Sequence, residues 1–160
     1  MTVDWDELVE EFGPLVYSSA WRILRHREQA EDIVQDVLTH AWLRRNEPIR
    51  NLAGWMRHLA TCRALDALRR RRTVPFHDLD FLATPQDNTV EQAELMEVVR
   101  TAVANLPEQQ ATIFALRYFE EMSNAEIALH LDVTTSAVSS ALHVARNSLA
   151  NTLTPILEGK

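Results

Sequence analysis

Leu106–Leu149 reads LPEQQATIFALRYFEEMSNAEIALHLDVTTSAVSSALHVARNSL, and its punctuation decides the fold. Ser123, followed three residues later by Glu126, is a capping-box signature that satisfies orphan backbone donors at a helix start near Asn124. Ala125, Ile127, Ala128 and Leu131 give that short helix its apolar side. Asp132-Val133 make a turn, and Thr134 is a ready N-cap for a longer helix from about Thr135. In that second helix Val138, Leu142, Ala145 and Leu149 share one face, leaving Ser136, Ser139, Ser140, His143 and Asn147 outward. This is a helix-turn-helix, whose second helix ordinarily enters a DNA major groove. Arg146 is the one arginine or lysine on that helix, although phosphate affinity and base reading lean on such residues.

Charge is distributed unevenly over the 160 residues. Residues 1–84 hold 12 Arg against 13 Asp and Glu, whereas residues 85–160 hold three Arg and one Lys against 10 acids. The dense basic cluster, Arg69-Arg70-Arg71-Arg72, lies in the N-terminal half, which is therefore the better electrostatic candidate for nucleic acid. No apolar run approaches the roughly 18 residues of a bilayer span. Met1–Glu11 is acidic and amphipathic, unlike a signal peptide. A single cysteine, Cys62, excludes an internal disulfide and suits a reducing cytoplasm, so a cytoplasmic protein without membrane insertion is expected.

Helical periodicity continues upstream. Asp4–Arg25 carries apolar residues at helical spacing, with Gly13-Pro14 as an expected break or kink. Glu28–Arg45 is the cleanest helix, striped by Ala30, Ile33, Val34, Val37, Leu38, Ala41 and Trp42, with Asp32, Gln35 and Asp36 on other faces. Asn51–Arg71 forms a third long helix. Thr73–Asn88, with Pro75, Pro85 and three aspartates, reads as a flexible linker. The pattern resumes at Thr89–Asn105, Pro107 opens a helix to about Phe119, and a frayed tail containing Pro155 ends the chain. Trp5, Trp21, Trp42 and Trp55 lie on apolar stripes and are expected in the core. The fold class is all-α: two small helical domains, 1–72 and 89–160, joined by linker 73–88.

This order of segments resembles the extracytoplasmic-function (ECF) sigma factors of bacterial RNA polymerase. Ala30-Glu31-Asp32-Ile33-Val34-Gln35-Asp36-Val37 is similar to the family's A-E-D-L-V-Q-E-x-F. Gly54-Trp55-Met56 through Ala64-Leu65-Asp66-Ala67-Leu68-Arg69-Arg70-Arg71 is similar to G-W-L…A-x-D-x-L-R-R-x. Leu106-Pro107-Glu108 through Leu116-Arg117-Tyr118-Phe119, then Ser123-Asn124-Ala125-Glu126-Ile127-Ala128, resemble L-P-x-x-x-R-x-V-x-x-L-R-Y-x and S-x-x-E-I-A. Each piece is weak alone, but four in order across nearly the whole chain are specific.

The resemblance implies a region 2 domain that docks on a coiled coil of the polymerase's largest subunit through Asp32, Gln35 and Asp36. It implies that Arg57, Arg63, Arg69, Arg70 and Arg71 follow phosphate at the −10 element and its melted strand. It implies a region 4 domain that docks on the polymerase flap and meets −35 DNA through Thr135, Ser136, Ser139, Ser140, His143 and Arg146. Promoter DNA and core polymerase are the implied partners, with an anti-sigma factor or a separate DNA-targeting protein as further ones. The chain departs from the family in three places. A-R-N becomes Ala60-Thr61-Cys62, the turn glycine becomes Asp132, and V-K-S-R-L-H-R-A-R-K becomes Val138-Ser139-Ser140-Ala141-Leu142-His143-Val144-Ala145-Arg146-Asn147.

Two readings follow. One is a sigma factor that recognises and melts the −10 element with weakened −35 recognition. The other is a sigma-like decoy or adaptor that binds an anti-sigma or targeting protein without reading −35 DNA. No alternation of strands and helices precedes the helix-turn-helix, so a response-regulator output domain is disfavoured. His58 and Cys62 lie four apart without a second ligand pair, and no nucleophile–histidine–acid set has a supporting context. No enzyme, cofactor or metal site is therefore expected.

Overall fold

The computed structural model describes residues 4–71 and 90–159. The described residues form seven helices and no strand, as an all-α reading requires. Helix α1 (Trp5–Leu24) runs unbroken through Gly13-Pro14. Pro14 forfeits one backbone hydrogen bond, an interior cost of about 3 kcal/mol. Leu8 lies buried before it and Val16, Ala20, Ile23 and Leu24 after it. Each such larger side chain gains about 1.5–3 kcal/mol on burial, so packing overrides the expected break. The α1 helix stops at Arg25, which takes the left-handed conformation (φ 49°). His26 then caps α2 (Arg27–Leu43), its Nδ1 accepting from the Gln29 N–H at 3.2 Å.

Helix α3 (Leu52–Arg70) is capped by Asn51, whose side chain accepts from the Gly54 N–H at 3.0 Å. Its buried Met56, Ala60, Ala64, Leu65 and Leu68 complete a core with α1 and α2. Trp42 and Trp55 pack, partly buried, against this core as expected, whereas Trp21 is partly buried beside Tyr17, its ring stacked at 6.2 Å. Trp5 corrects the expectation: at the first turn of α1 it stays 37% exposed and rests edge-on against Trp42 at 5.7 Å.

Helices α4 (Val90–Ala104), α5 (Glu108–Tyr118), α6 (Asn124–Leu131) and α7 (Thr135–Glu158) form the second set. Pro107 is the N-cap of α5 rather than its first residue. The tail is not frayed, since α7 continues through Pro155 to Glu158. The expected linker Thr73–Asn88 lies outside the described residues.

The two helix sets share a core. Val103, Ala104, Leu106, Ala111, Ala115, Ala145 and Leu149 cluster with the buried residues of α1–α3. Helix α5 faces two ways: Ala111 and Ala115 join that shared core, while Ile113 and Leu116 pack with Ile127, Val138 and Leu142 inside the helix-turn-helix. Helices α3 and α5 touch directly, with Cys62 Sγ 3.8 Å from Thr112 Oγ1.

Candidate nucleic-acid interface

Helices α2 and α3 enclose a groove of about 1100 Å³ whose walls differ in charge. Asp32, Gln35 and Asp36 line the α2 side, and Arg63, Arg69, Arg70 and Arg71 line the α3 side. Two residue sets singled out separately in sequence thus meet at one place. The helical period does this: 32, 35 and 36 share one face of α2, and 63 and 70 share one of α3. Arg57 is half-buried on α3 and does not line the groove.

The groove arginines differ in what holds them. Arg63 braces the walls, pairing with Asp36 and lying 2.8 Å from His40 Nε2. Both members of that pair keep a third or more of their side-chain surface in solvent, so the brace positions rather than stabilises. Arg69 donates to Asp66 at 2.5 Å and, through Nε, to the Ala104 carbonyl of α4 at 2.5 Å. Arg71 is buried and donates twice to Gln29 Oε1, at 3.0 and 2.6 Å. Arg70 is exposed and makes no ion pair among the described residues.

Sequence reasoning missed the cluster behind Arg71. Glu97 and Arg100 of α4 are buried and paired at 3.1 Å, and Arg71 Nη1 lies 4.0 Å from Glu97. Burial lowers the pKa of Arg71 and Arg100 from the ordinary arginine value; Glu97 opposes the shift, while Arg100 adds to that of Arg71. Arg25 is lowered likewise by burial and then by Arg100. The Glu97/Arg100 spacing of three residues is a common exposed-helix pattern, and nothing local marks it as buried.

The helix-turn-helix forms as its punctuation dictates. Ser123 and Glu126 close a reciprocal capping box, Asp132 takes the left-handed turn conformation (φ 55°), and Thr134 caps α7 through the Ala137 N–H at 3.0 Å. Thr135, Ser136, Ser139, Ser140, His143 and Arg146 are all exposed on α7. Asn124 Nδ2 donates to Ser139 Oγ at 3.3 Å, and His143 lies 3.3 Å from Asn147. Arg146 bends back onto α5, donating from Nε to the Tyr118 hydroxyl at 2.7 Å with its guanidinium 5.5 Å from the ring centre. The reading face thus has one cation, and that cation is engaged within the domain. No group of three or more metal-ligating side chains occurs among the described residues, and no described helix is long and apolar enough to cross a membrane.

Comparison with known proteins matches both halves. The family profile described as Sigma-70 region 2 covers residues 8–74, and Sigma-70, region 4 covers residues 96–149. The ECF RNA polymerase sigma factor SigW of Bacillus subtilis is 23% identical, over 92% of this chain and 87% of that protein. The ECF RNA polymerase sigma factor SigE of Mycolicibacterium smegmatis is 29% identical, over 93% of this chain and 61% of that longer protein. Among solved structures, the sigma factor RpoE of Bartonella quintana, in complex with the anti-sigma factor NepR, shares the fold. Its TM-score is 0.59 at 21% identity, covering 94% of this chain and 97% of that one.

Proposed function

The chain belongs to the sigma-70 family, as an ECF RNA polymerase sigma factor, and from that premise we propose that its N-terminal half carries the promoter work. A sigma factor is a regulatory initiation subunit rather than an enzyme. Asp32, Gln35 and Asp36 on α2 would meet the coiled coil of the largest polymerase subunit, where their charge sets orientation and encounter rate. The arginines of α3 would track the phosphates of the melted −10 strand, with Arg70 the most available and Arg57 outside the groove. Helices α5 and α6 would dock on the flap.

The single observation that carries this reading is the α2–α3 groove, which gathers both residue sets on facing walls. At −35 the balance differs. Each lost phosphate contact flattens the salt dependence by roughly 0.9, and each lost bidentate base contact removes about 1–3 kcal/mol of discrimination. Four of the five basic positions expected in the reading helix hold other residues, and Arg146 is engaged by Tyr118. Recognition at −35 is therefore weak, and polymerase contacts supply the affinity. An anti-sigma factor is a natural partner for such a chain, as the Bartonella relative has one.

The charge-poor α7 face also favours a second reading, a decoy or adaptor that binds an anti-sigma or targeting protein without initiating. Arg70→Ala separates the two, because Arg70 is exposed and its loss leaves the fold intact. Transcription by reconstituted polymerase should drop if the chain initiates through −10 contacts. A decoy would show no transcription with either variant and unchanged partner affinity.

A further inference from the structure

Of the four arginines lining the groove, Arg63 alone pairs with an acid of the α2 wall among the described residues. It holds Asp36 Oδ2 through Nη1, and its Nη2 lies 2.8 Å from His40 Nε2. A guanidinium can only donate, so Nε2 accepts and His40 takes part as the neutral ring with its proton on Nδ1. Asp36 and His40 stand four residues apart, one turn along α2, and one planar fork spans both. The Arg63 Nε is buried without a hydrogen-bond partner. Both terminal nitrogens of Arg63 are thus committed to α2 before any phosphate arrives. Asp32, one turn earlier on the same face, is exposed and makes no ion pair among the described residues. The two acids of this face therefore differ: Asp32 is unrestrained and Asp36 is held.

We propose that Arg63 is a positioning residue for polymerase docking rather than a phosphate contact. Clamped between Asp36 and His40, it fixes the Asp36 side chain and leaves Oδ1 to accept from a cationic group of the coiled coil. This rests on the docking role proposed for Asp36, and it removes Arg63 from the arginines that follow the −10 strand. Magnitudes favour order over strength. The pair keeps 33% and 46% of its side-chain surface in solvent, so it adds little to stability. It does order two side chains before the partner arrives, and such ordering is otherwise a cost of docking itself. Charge alone predicts the reverse effect. Arg63 partly neutralises Asp36, so its removal would strengthen attraction to a cationic surface. An arginine that positions and an arginine that merely screens thus act with opposite sign.

Arg63→Gln tests this in the full chain, with affinity for core polymerase read by fluorescence anisotropy. Affinity should fall about 3-fold, the size expected from losing an exposed, ordered pair. The urea midpoint should stay at the wild-type value, which separates positioning from a loss of fold. Arg63→Lys keeps the charge but has one nitrogen for two partners, and should fall between wild type and Arg63→Gln. In an Asp36→Ala chain the same Arg63→Gln change should have no further effect, because the side chain it positions is gone. The salt dependence of single-stranded DNA binding should be unchanged in Arg63→Gln, whereas a lost phosphate contact would flatten it by about 0.7. Core affinity unchanged or tighter in Arg63→Gln, an additive loss on top of Asp36→Ala, or that flattened slope would each overturn the proposal. Asp36→Ala alone reads the docking role. Unchanged core affinity in that variant would remove the role and the positioning with it, whereas a loss there with none in Arg63→Gln would overturn the positioning alone.

Discussion

The α2–α3 groove and the exposed face of α7 are both polar helical surfaces, but they hold their charges differently. The groove sets four arginines and Asp66 on one wall against Asp32 and Asp36 on the other, and Arg70 faces solvent without an ion pair among the described residues. The α7 face offers serines, threonine and a histidine, and its one arginine is bound to Tyr118. A DNA-reading shape and a DNA-reading charge are thus separate properties. The helix-turn-helix geometry is set by caps, a left-handed turn and apolar spacing, none of which needs a cation.

The seam between the two regions can be broken first. Glu97→Ala leaves Arg71 and Arg100 buried beside each other without a counter-charge, and should cost about 3–5 kcal/mol of stability in urea denaturation. A loss below about 1 kcal/mol would mean the cluster is hydrated and the seam loose. The comparison can next be sharpened by giving α7 what it lacks. Ser139→Arg with His143→Arg should steepen the salt dependence of duplex binding by roughly 0.9 for each new phosphate contact. An unchanged slope would show that this face does not approach DNA at all. Arg70→Ala acts on the other side, flattening the salt dependence of single-strand binding by about 0.7 and leaving duplex binding by α7 untouched.

The smallest effect concerns pH. Burial, and secondarily His130, hold the His58 imidazole below its ordinary value of 6.5. The folded chain then binds fewer protons than the unfolded chain near and below that pH, so stability falls as pH drops through 6.5. His58→Gln should flatten that decline in urea midpoints measured on either side of pH 6.5, and an identical decline in the variant would assign it to other groups.

What the sequence disclosed follows from the range of the interactions. Ser123/Glu126, Asp132 and Thr134 act within one turn of their own helix, so the helix-turn-helix was legible to the residue. The stripe of α2 likewise put Asp32, Gln35 and Asp36 on a usable face. Pro14 and Pro155 misled because their local signal is a missing N–H, whereas the outcome depends on how the flanking turns are held. Arg71 is the instructive case. Its place in a basic run predicts exposure, but Gln29, 42 residues earlier, and Glu97 on another helix take it into the interior. No local pattern encodes a partner that arrives through tertiary packing.

The most direct test of the division between groove and reading helix is transcription by core polymerase reconstituted with this protein, on templates randomised upstream of the start site. Enrichment of a −10 sequence with little or no preference at −35 is the predicted result. Strong selection at −35 without a −10 preference would contradict it, placing the promoter reading on the charge-poor face of α7 and leaving the groove without its proposed role.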